Sequence, residues 1–340
     1  RAYMGEKLKK ESYTGFDAAL DEEQQMKEGK YKKAEKYYDS IFEGVETESL
    51  PLPDRNGEIP ERGYLSKEMD TRESVILSTC EKLGVTPNIL FTGLFGVLMT
   101  RYSNSDDSLF ATIYNGRNDS RLENTVCMLV KTLPVYCSCD PKATIQTYMT
   151  ELSEQLLSSM ANDIFPFSDI CAKYGFSSDL VFAYQAELSD DYPIGDTIAR
   201  GHDLSPDMSK MPLLIQVREY DHKYVLTAEY RSDKYSEEFV KGILDAYEAA
   251  MDSMLKAKYI SEISILSGNA ADKIAEFNHT AHEYDRSQTI SDMFDEMVET
   301  IPDHTAVVFK DRKYTYKELD EISDRLGKYI VSQGIGKEDV

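Results

Sequence analysis

Tryptophan is absent from this 340-residue sequence, and histidine and cysteine are scarce, at five residues each. Cys80, Cys127, Cys137, Cys139 and Cys171 include no CxxC pair, and their number is odd. Cys137 and Cys139 stand two apart in an expected strand, so they share a face rather than surround a metal. Free thiols in a reducing cytosol are the reading that fits. The histidines (His202, His222, His279, His282 and His304) include no adjacent pair. His279 and His282 fall in an expected connector, and His202 with Asp203 in an expected surface loop, so no metal site is expected. Neither GxGxxG nor GxxxxGK[ST] occurs, which leaves no recognisable phosphate-cradling loop. No apolar run reaches membrane-spanning length, and no secretory apolar segment stands near the start. Basic residues number 38 against 61 acidic ones, a net charge of −23. That balance repels nucleic acid and anionic membrane, so neither is expected as a partner, and a cytoplasmic location is expected.

What is present is ample for a folded core. Hydrophobic residues make up 41% of the sequence, and the length allows two ordinary domains. The start at Arg1 and the closing Gly-Ile-Gly-Lys-Glu-Asp-Val run read as cuts within a longer polypeptide. Residues 1–42 are helical in character, with Tyr31, Ala34, Tyr37, Tyr38 and Ile41 on one face. Residues 50–64 carry three prolines and read as a loop before a short strand at 63–69. Asp70 with Glu73 has capping-box spacing for a helix that ends at Gly84. Thr86-Pro87 opens a helix apolar nearly all round, through Leu90, Phe91, Leu94, Phe95 and Leu98, which must be buried.

Strands are expected at 109–114 and 127–136, a helix at 144–160, and a loop at Phe165-Pro166-Phe167. A strand at 180–185 precedes a polar loop from Ala186 to about Lys210. A hairpin about Asp221-His222 and a helix capped by Ser236 follow. This order gives a mixed α/β layer rather than a run of nucleotide-binding βαβ units. Near the end, Thr289 and Asp292 form one capping box and Thr315 and Glu318 another. Between them lie an apolar strand at 306–309, a charged turn at 310–313 and a returning strand at 314–316.

The ordered set Asn278, Thr280, Pro302, Asp303, Ala306, Val307, Val308, Tyr314, Thr315, Tyr316, Glu318 and Leu319 resembles the opening of an adenylation domain of nonribosomal peptide synthetases. The preceding region resembles the C-terminal lobe of a condensation domain. Tyr13 and Phe16 match its first segment, and Asn115-Gly116-Arg117 matches a turn after a strand. Val130, Thr132, Leu133 and Pro134 match a "V-N-T-L-P" strand, and Pro166 with Phe167 a "P-F" turn. Lys131 stands where that strand has Asn, Tyr136 where it has Arg, and Gly15 where the first segment has Asp. The HHxxxDG motif that carries the family's chemistry does not occur.

The resemblance implies a chloramphenicol-acetyltransferase-like mixed α/β lobe at 1–265, a linker at 266–283 and an incomplete adenylation start at 284–340. It implies amide formation between carrier-bound aminoacyl and peptidyl thioesters, next to amino-acid activation, with this fragment inactive alone. The alternative is a non-catalytic platform that docks carriers or a partner enzyme, toward which Lys131 and Tyr136 lean. Asn115, Arg117, Lys131, Thr132 and Gln185 would line or support the substrate channel, and residues 186–210 would form a latch to the other lobe. Tyr314, Thr315, Tyr316, Glu318 and Leu319 would be structural residues of the adenylation start. Expected partners are an N-terminal condensation lobe, carrier domains with their phosphopantetheine, and the rest of the adenylation domain. ATP and Mg would belong to that complete domain, and this fragment itself would bind no cofactor. Residues beyond about Tyr284, lacking partners for their apolar faces, are expected to pack loosely or move.

Overall fold

The structure, a computed structural model, describes residues 5, 7, 10–45, 49–117, 119–177, 179–186, 191–200 and 208–336. Asn118, His202 and Asp203 lie outside the described residues. The chain divides into two compact units, Arg1–Ile274 and Ala275–Val340. In order, the elements are α1 (Gly15–Lys27), α2 (Lys30–Phe42), β1 (Arg62–Glu68), α3 (Glu73–Leu83), α4 (Pro87–Ser103), β2 (Asp107–Tyr114) and β3 (Lys131–Ser138). Next come α5 (Ile145–Ala161), α6 (Phe167–Tyr174), β4 (Leu180–Gln185), β5 (Asp191–Ile194), β6 (Thr197–Arg200), β7 (Leu213–Tyr220), β8 (Lys223–Arg231) and α7 (Glu237–Met254). The last are α8 (Gly268–Phe277), α9 (Ile290–Thr300), β9 (Thr305–Phe309), β10 (Arg312–Thr315) and α10 (Tyr316–Ser332).

The first unit is built on a six-stranded sheet in the order β1–β8–β7–β4–β2–β3. β4 runs parallel to β7 and β2, and the other neighbours are antiparallel. Helix α4 contributes eight buried apolar side chains to the core against it, as many as α7. Thr86 accepts a hydrogen bond from the Ile89 amide, and every residue from Ile89 to Thr100 is buried. Each Leu or Phe side chain so buried is worth roughly 1.5–3 kcal/mol. Gly96 permits the close approach, since a Cβ there would stand 2.6 Å from the Cys137 sulfur. Ser236 caps α7 by accepting from the Phe239 amide, and α7 adds Val240, Ile243, Leu244, Tyr247 and Met251 to the same core. A smaller core gathers Tyr38 and Phe42 of α2, Ile164, Phe165 and Ile170 around Leu109 of β2. Leu109 and Phe110 are adjacent in one strand and point into different cores, so the β2 end of the sheet is covered on both faces.

Pro134 sits in the middle of β3 without cost because β3 is an edge strand. Tyr136, two residues on, directs its amide outward to the Gln155 side chain at 3.2 Å. Pro134 shares that outward register, so its absent N–H removes no ladder bond. At the β7–β8 turn Asp221 and His222 both have positive φ, 47° and 60°, the twist that two-residue hairpins favour.

The structure corrects several expectations. The described residues of 1–42 hold two helices, because Gly29 at φ 83° breaks the run. Arg72, not Asp70, precedes α3, and no side chain caps it; the Asp70 amide instead bonds the Glu248 carboxylate at 2.7 Å. The strand expected from Cys127 begins only at Lys131. Pro166 opens a helix, α6, where a loop was expected. The polar stretch after Ala186 contains the β5–β6 hairpin, and the expected linker contains α8.

In the second unit α9 and α10 flank the β9–β10 hairpin. The hairpin turn is only Lys310-Asp311, with Lys310 at φ 53°, and Tyr316 starts a helix rather than ending a strand. Both Thr–Asp and Thr–Glu capping boxes are formed, yet neither helix contains a buried residue. Among the described residues no single helix is long and apolar enough to cross a membrane.

Candidate functional site

At the end of β2 the chain turns through Asn115-Gly116-Arg117. The Asn115 side-chain oxygen accepts from the Arg117 amide at 3.0 Å, an Asx turn. Gly116 has φ +65°, and a Cβ on it would lie 1.8 Å from the Leu129 carbonyl oxygen. Only glycine fits there. The Arg117 guanidinium donates to the Leu122 carbonyl. The turn is thereby packed against the segment 125–130 that leads into β3. In that segment Val126 and Met128 are 85% and 87% exposed.

The N-terminal part of the unit holds the other side. Thr125 donates its hydroxyl to the Tyr13 carbonyl at 2.8 Å, and the Val126 amide donates to Glu11. The Arg121 guanidinium pairs with Asp119 and Asp21 and lies 4.5 Å from the centre of the Tyr13 ring. Between α1, the start of α2, the segment 125–131 and the turn after α5 lies a cleft of about 530 Å³. Ala18 and Ala19 leave room on the α1 side, Gly15 lets α1 approach Cys127, and Leu122, Met128, Leu129 and Ile164 make part of the wall apolar.

A half-buried charge cluster closes one end of the cleft. The Lys131 ammonium is 3.1 Å from the Asp163 carboxylate, 3.3 Å from the Asp163 carbonyl and 3.8 Å from Glu22. The Tyr114 hydroxyl donates to the same carboxylate. The Asp163 side chain is only 16% exposed. Burial, then repulsion from Glu22, pushes its carboxyl up to about 6. Burial also lowers the Lys131 ammonium, with Glu22 acting against that shift. The close ion pair favours both charged forms and opposes the burial effect on each. Two carboxylates therefore share one lysine in a partly dry site.

The structure brings Asn115, Arg117, Lys131 and Thr132 to one end of the β2–β3 pair, but they do different things. Lys131 lines the cleft and is held by Asp163. Asn115 and Arg117 stand behind Gly116 as turn-forming residues, and Thr132 is half-buried on the strand. Gln185 is elsewhere, in a recess of about 140 Å³ with Tyr64, Ser66, Arg218 and Thr227, and accepts a hydrogen bond from Gln216 at 2.7 Å. Tyr114, Glu22 and Asp163 escaped the sequence reading. The only signal was the position of Asp163 beside the Pro166-Phe167 pair. In the second unit Thr315 and Glu318 are a capping pair, Tyr314 faces Val307 across the hairpin, Tyr316 lies 6.0 Å from the Phe294 ring, and Leu319 is half-buried. Among the described residues no three His, Cys, Asp or Glu side chains are grouped as metal ligands.

An α/β layer with parallel central strands, antiparallel edges and a cleft at one edge is the mixed fold of condensation domains. Residues 1–275 match the family described as Condensation domain, and the chain belongs to that family. It is 26% identical to surfactin synthase subunit 1 of Bacillus subtilis (strain 168), over 99% of this chain and 10% of that one. It is 26% identical to gramicidin S synthase 2 of Brevibacillus brevis over 76% of this chain and 6% of that one. The chain thus spans about a tenth or less of these relatives' length. Among solved structures, the nonribosomal peptide synthetase FmoA3 in its AMPPNP-bound form superposes with a TM-score of 0.71 at 17% identity, over 98% of this chain and 37% of that one. The condensation domain of the Monacolin K polyketide synthase MokA gives 0.64 at 15% identity, over 78% of this chain and 65% of that one.

Proposed function

We propose that the chain is an internal piece of a nonribosomal peptide synthetase: the C-terminal lobe of a condensation domain at 1–265, a connector at 266–283 that includes α8, and the opening of an adenylation domain at 284–340. The single observation that carries this reading is the family match over residues 1–275. Two coverages support its finer parts. The chain reaches only 65% of an isolated condensation domain, in keeping with an incomplete condensation domain. It is covered to 98% by the synthetase FmoA3 but to 78% by that isolated domain, in keeping with a second domain starting near the end.

In the proposed reaction a neutral acceptor amine attacks the thioester carbonyl of the donor. The charge on the carbonyl oxygen is stabilised, the C–S bond breaks, and the donor carrier's thiol leaves with the proton lost by the amine. The histidine that orients or deprotonates the amine would come from an HHxxxDG motif on the N-terminal lobe. This chain supplies the second wall, with Lys131 and Thr132 near the channel and Gln185 on a separate face. Carrier domains bearing phosphopantetheine are the partners, and ATP with Mg serves only the complete adenylation domain. Alone, the chain is inactive.

The test is to join this chain to an N-terminal lobe carrying HHxxxDG and supply donor and acceptor thioesters on carrier domains. Peptide-bond formation that disappears when the second His becomes Ala is the expected result. Carrier binding without product, with the motif intact, would sink the catalytic reading and leave a docking platform.

A further inference from the structure

The Lys131–Asp163 pair links two pieces of chain that no ladder bond joins: the start of β3 and the turn after α5. Segment 126–131 has few other anchors. Val126 donates to Glu11, Leu129 rests on Gly116, and Lys131 faces Tyr114 at the last register position of the ladder. Its apolar side chains Val126, Met128 and Val130 are exposed, and only Cys127, packed on Gly15 of α1, and Leu129 are half-buried, so hydrophobic packing holds it weakly. Yet this segment forms the wall of the cleft opposite α1.

We propose that Asp163 is a positioning residue: acting through Lys131, its carboxylate holds segment 126–131 as the cleft wall, and protonation of that carboxylate releases the segment. The bearing of this on amide formation rests on the function proposed above, whereas the contact itself does not. The groups facing Asp163 are Lys131 from β3, Tyr114 from β2 and Glu22 from α1, with Tyr38 of α2 close enough to feel its charge. Lys30 and Lys33 of α2 line the same cleft. Of these, only Lys131 is a cation paired to Asp163. A carboxyl raised to about 6 by burial changes charge close to neutrality. Opening removes the lysine while the turn after α5 keeps Asp163 covered, so the open state binds the proton more tightly than the closed one, and the hold is strong at pH 8 and weak at pH 5. Protonation removes the 3.1 Å ion pair and leaves Lys131 with the Asp163 carbonyl at 3.3 Å and with Glu22, 3.8 Å away on an exposed helix face. Asp163 lies at the end of the cleft beside Lys131, and its effect on the segment passes through the lysine.

Hydrogen exchange of the whole chain, measured from pH 5 to 8 and corrected for intrinsic rate, tests this without substrate. In the native protein, protection of residues 126–131 should fall roughly tenfold as pH drops through the titration, the factor of one pKa unit of lost interaction. Asp163→Asn should exchange fast in that segment at every pH, and Asp163→Glu should restore the pH-dependent protection. Lys131→Met should behave as Asp163→Asn while the central helix α4 stays protected. A segment equally protected in Asp163→Asn and the native chain at all pH values overturns the proposal. If Asp163→Asn loses protection throughout, Lys131→Met decides, and a segment still protected in that variant overturns it. Because exchange needs no thioester, this failure is distinguishable from failure of the peptide-bond assay.

Discussion

Helix α4 in the first unit and α10 in the second start alike, with a threonine that accepts an amide from the third residue of the helix. They end in opposite states. Twelve consecutive residues of α4 are buried, and none of α10 is. The amphipathic face of α10 is well formed, yet Leu326 is 57% exposed. In the hairpin beside it, Phe309 is 63% exposed. Capping and periodicity therefore define a helix without deciding whether anything covers it, and burial supplies most of its stability.

Substitutions at matched positions should break this symmetry. Leu94→Ala in α4 removes a fully buried side chain and should cost about 3–5 kcal/mol of first-unit stability in denaturant unfolding. Leu326→Ala should stay within about 0.5 kcal/mol. Equal effects would mean that α10 is covered as α4 is. Next in size is Gly116→Ala, where the positive φ and the Leu129 carbonyl leave no space for a methyl. A loss of about 1–3 kcal/mol is expected, seen as a lower melting temperature with faster exchange at 126–131. Threonine caps come third. Thr86→Ala should cost about 1 kcal/mol in the cooperative unfolding of the first unit. Thr315→Ala should fray only the first turn of α10, read by exchange at Tyr316–Glu318.

The smallest and most discriminating contrast is with pH. Asp163 has its folded pKa above the ordinary carboxylate value, so the native state takes up a proton more readily than the unfolded chain. Its contribution to stability is present in acid and lost as pH rises through about 6. Asp292 is the reverse. The Thr289 hydroxyl and amide hold its carboxyl below the ordinary range. Its contribution is present above that range and lost as pH falls through it. Melting temperatures of Asp163→Asn and Asp292→Asn, each relative to the native chain, should therefore change with pH in opposite senses. Parallel changes would refute the assignment of either carboxyl. Acid thus relieves the cost of burying Asp163 while loosening the segment it holds.

The legible parts of the fold were those written in neighbouring residues. Thr86-Pro87, Ser236, Thr289–Asp292 and Thr315–Glu318 are local caps, and each forms where the sequence placed it. The Asp70–Glu73 pair had the same spacing and failed, because Glu248 of α7 takes the Asp70 amide from 178 positions away. The strand expected from Cys127 had the right composition. However, Gly116 brings the turn after β2 against the Leu129 carbonyl, and the ladder with β2 begins only at Lys131. Helix α6 was obscured by Pro166, which reads as a loop signal although it is equally a helix start.

The site was legible by half. Lys131 stood out because it departs from a family pattern, and the Asn-Gly-Arg turn because such dipeptides are turn formers. Asp163, Tyr114 and Glu22 carry no spacing relation to Lys131, since a charge cluster assembled from β2, α1 and the end of α5 leaves no periodic trace.

By itself the sequence determined where α4, α7, α9 and α10 begin, that α4 must be interior, that the balance of charge is acidic, and that the chain resembles a condensation domain. The first three follow from interactions between residues a few positions apart and from composition, and the resemblance from ordered motifs such as those at 130–134 and at Pro166-Phe167. The tertiary structure alone decided that β2 serves two cores, that Pro134 lies on an outer edge, and that Lys131 faces Asp163. Each of these depends on which distant segments meet and on what burial then does to their charges and hydrogen bonds.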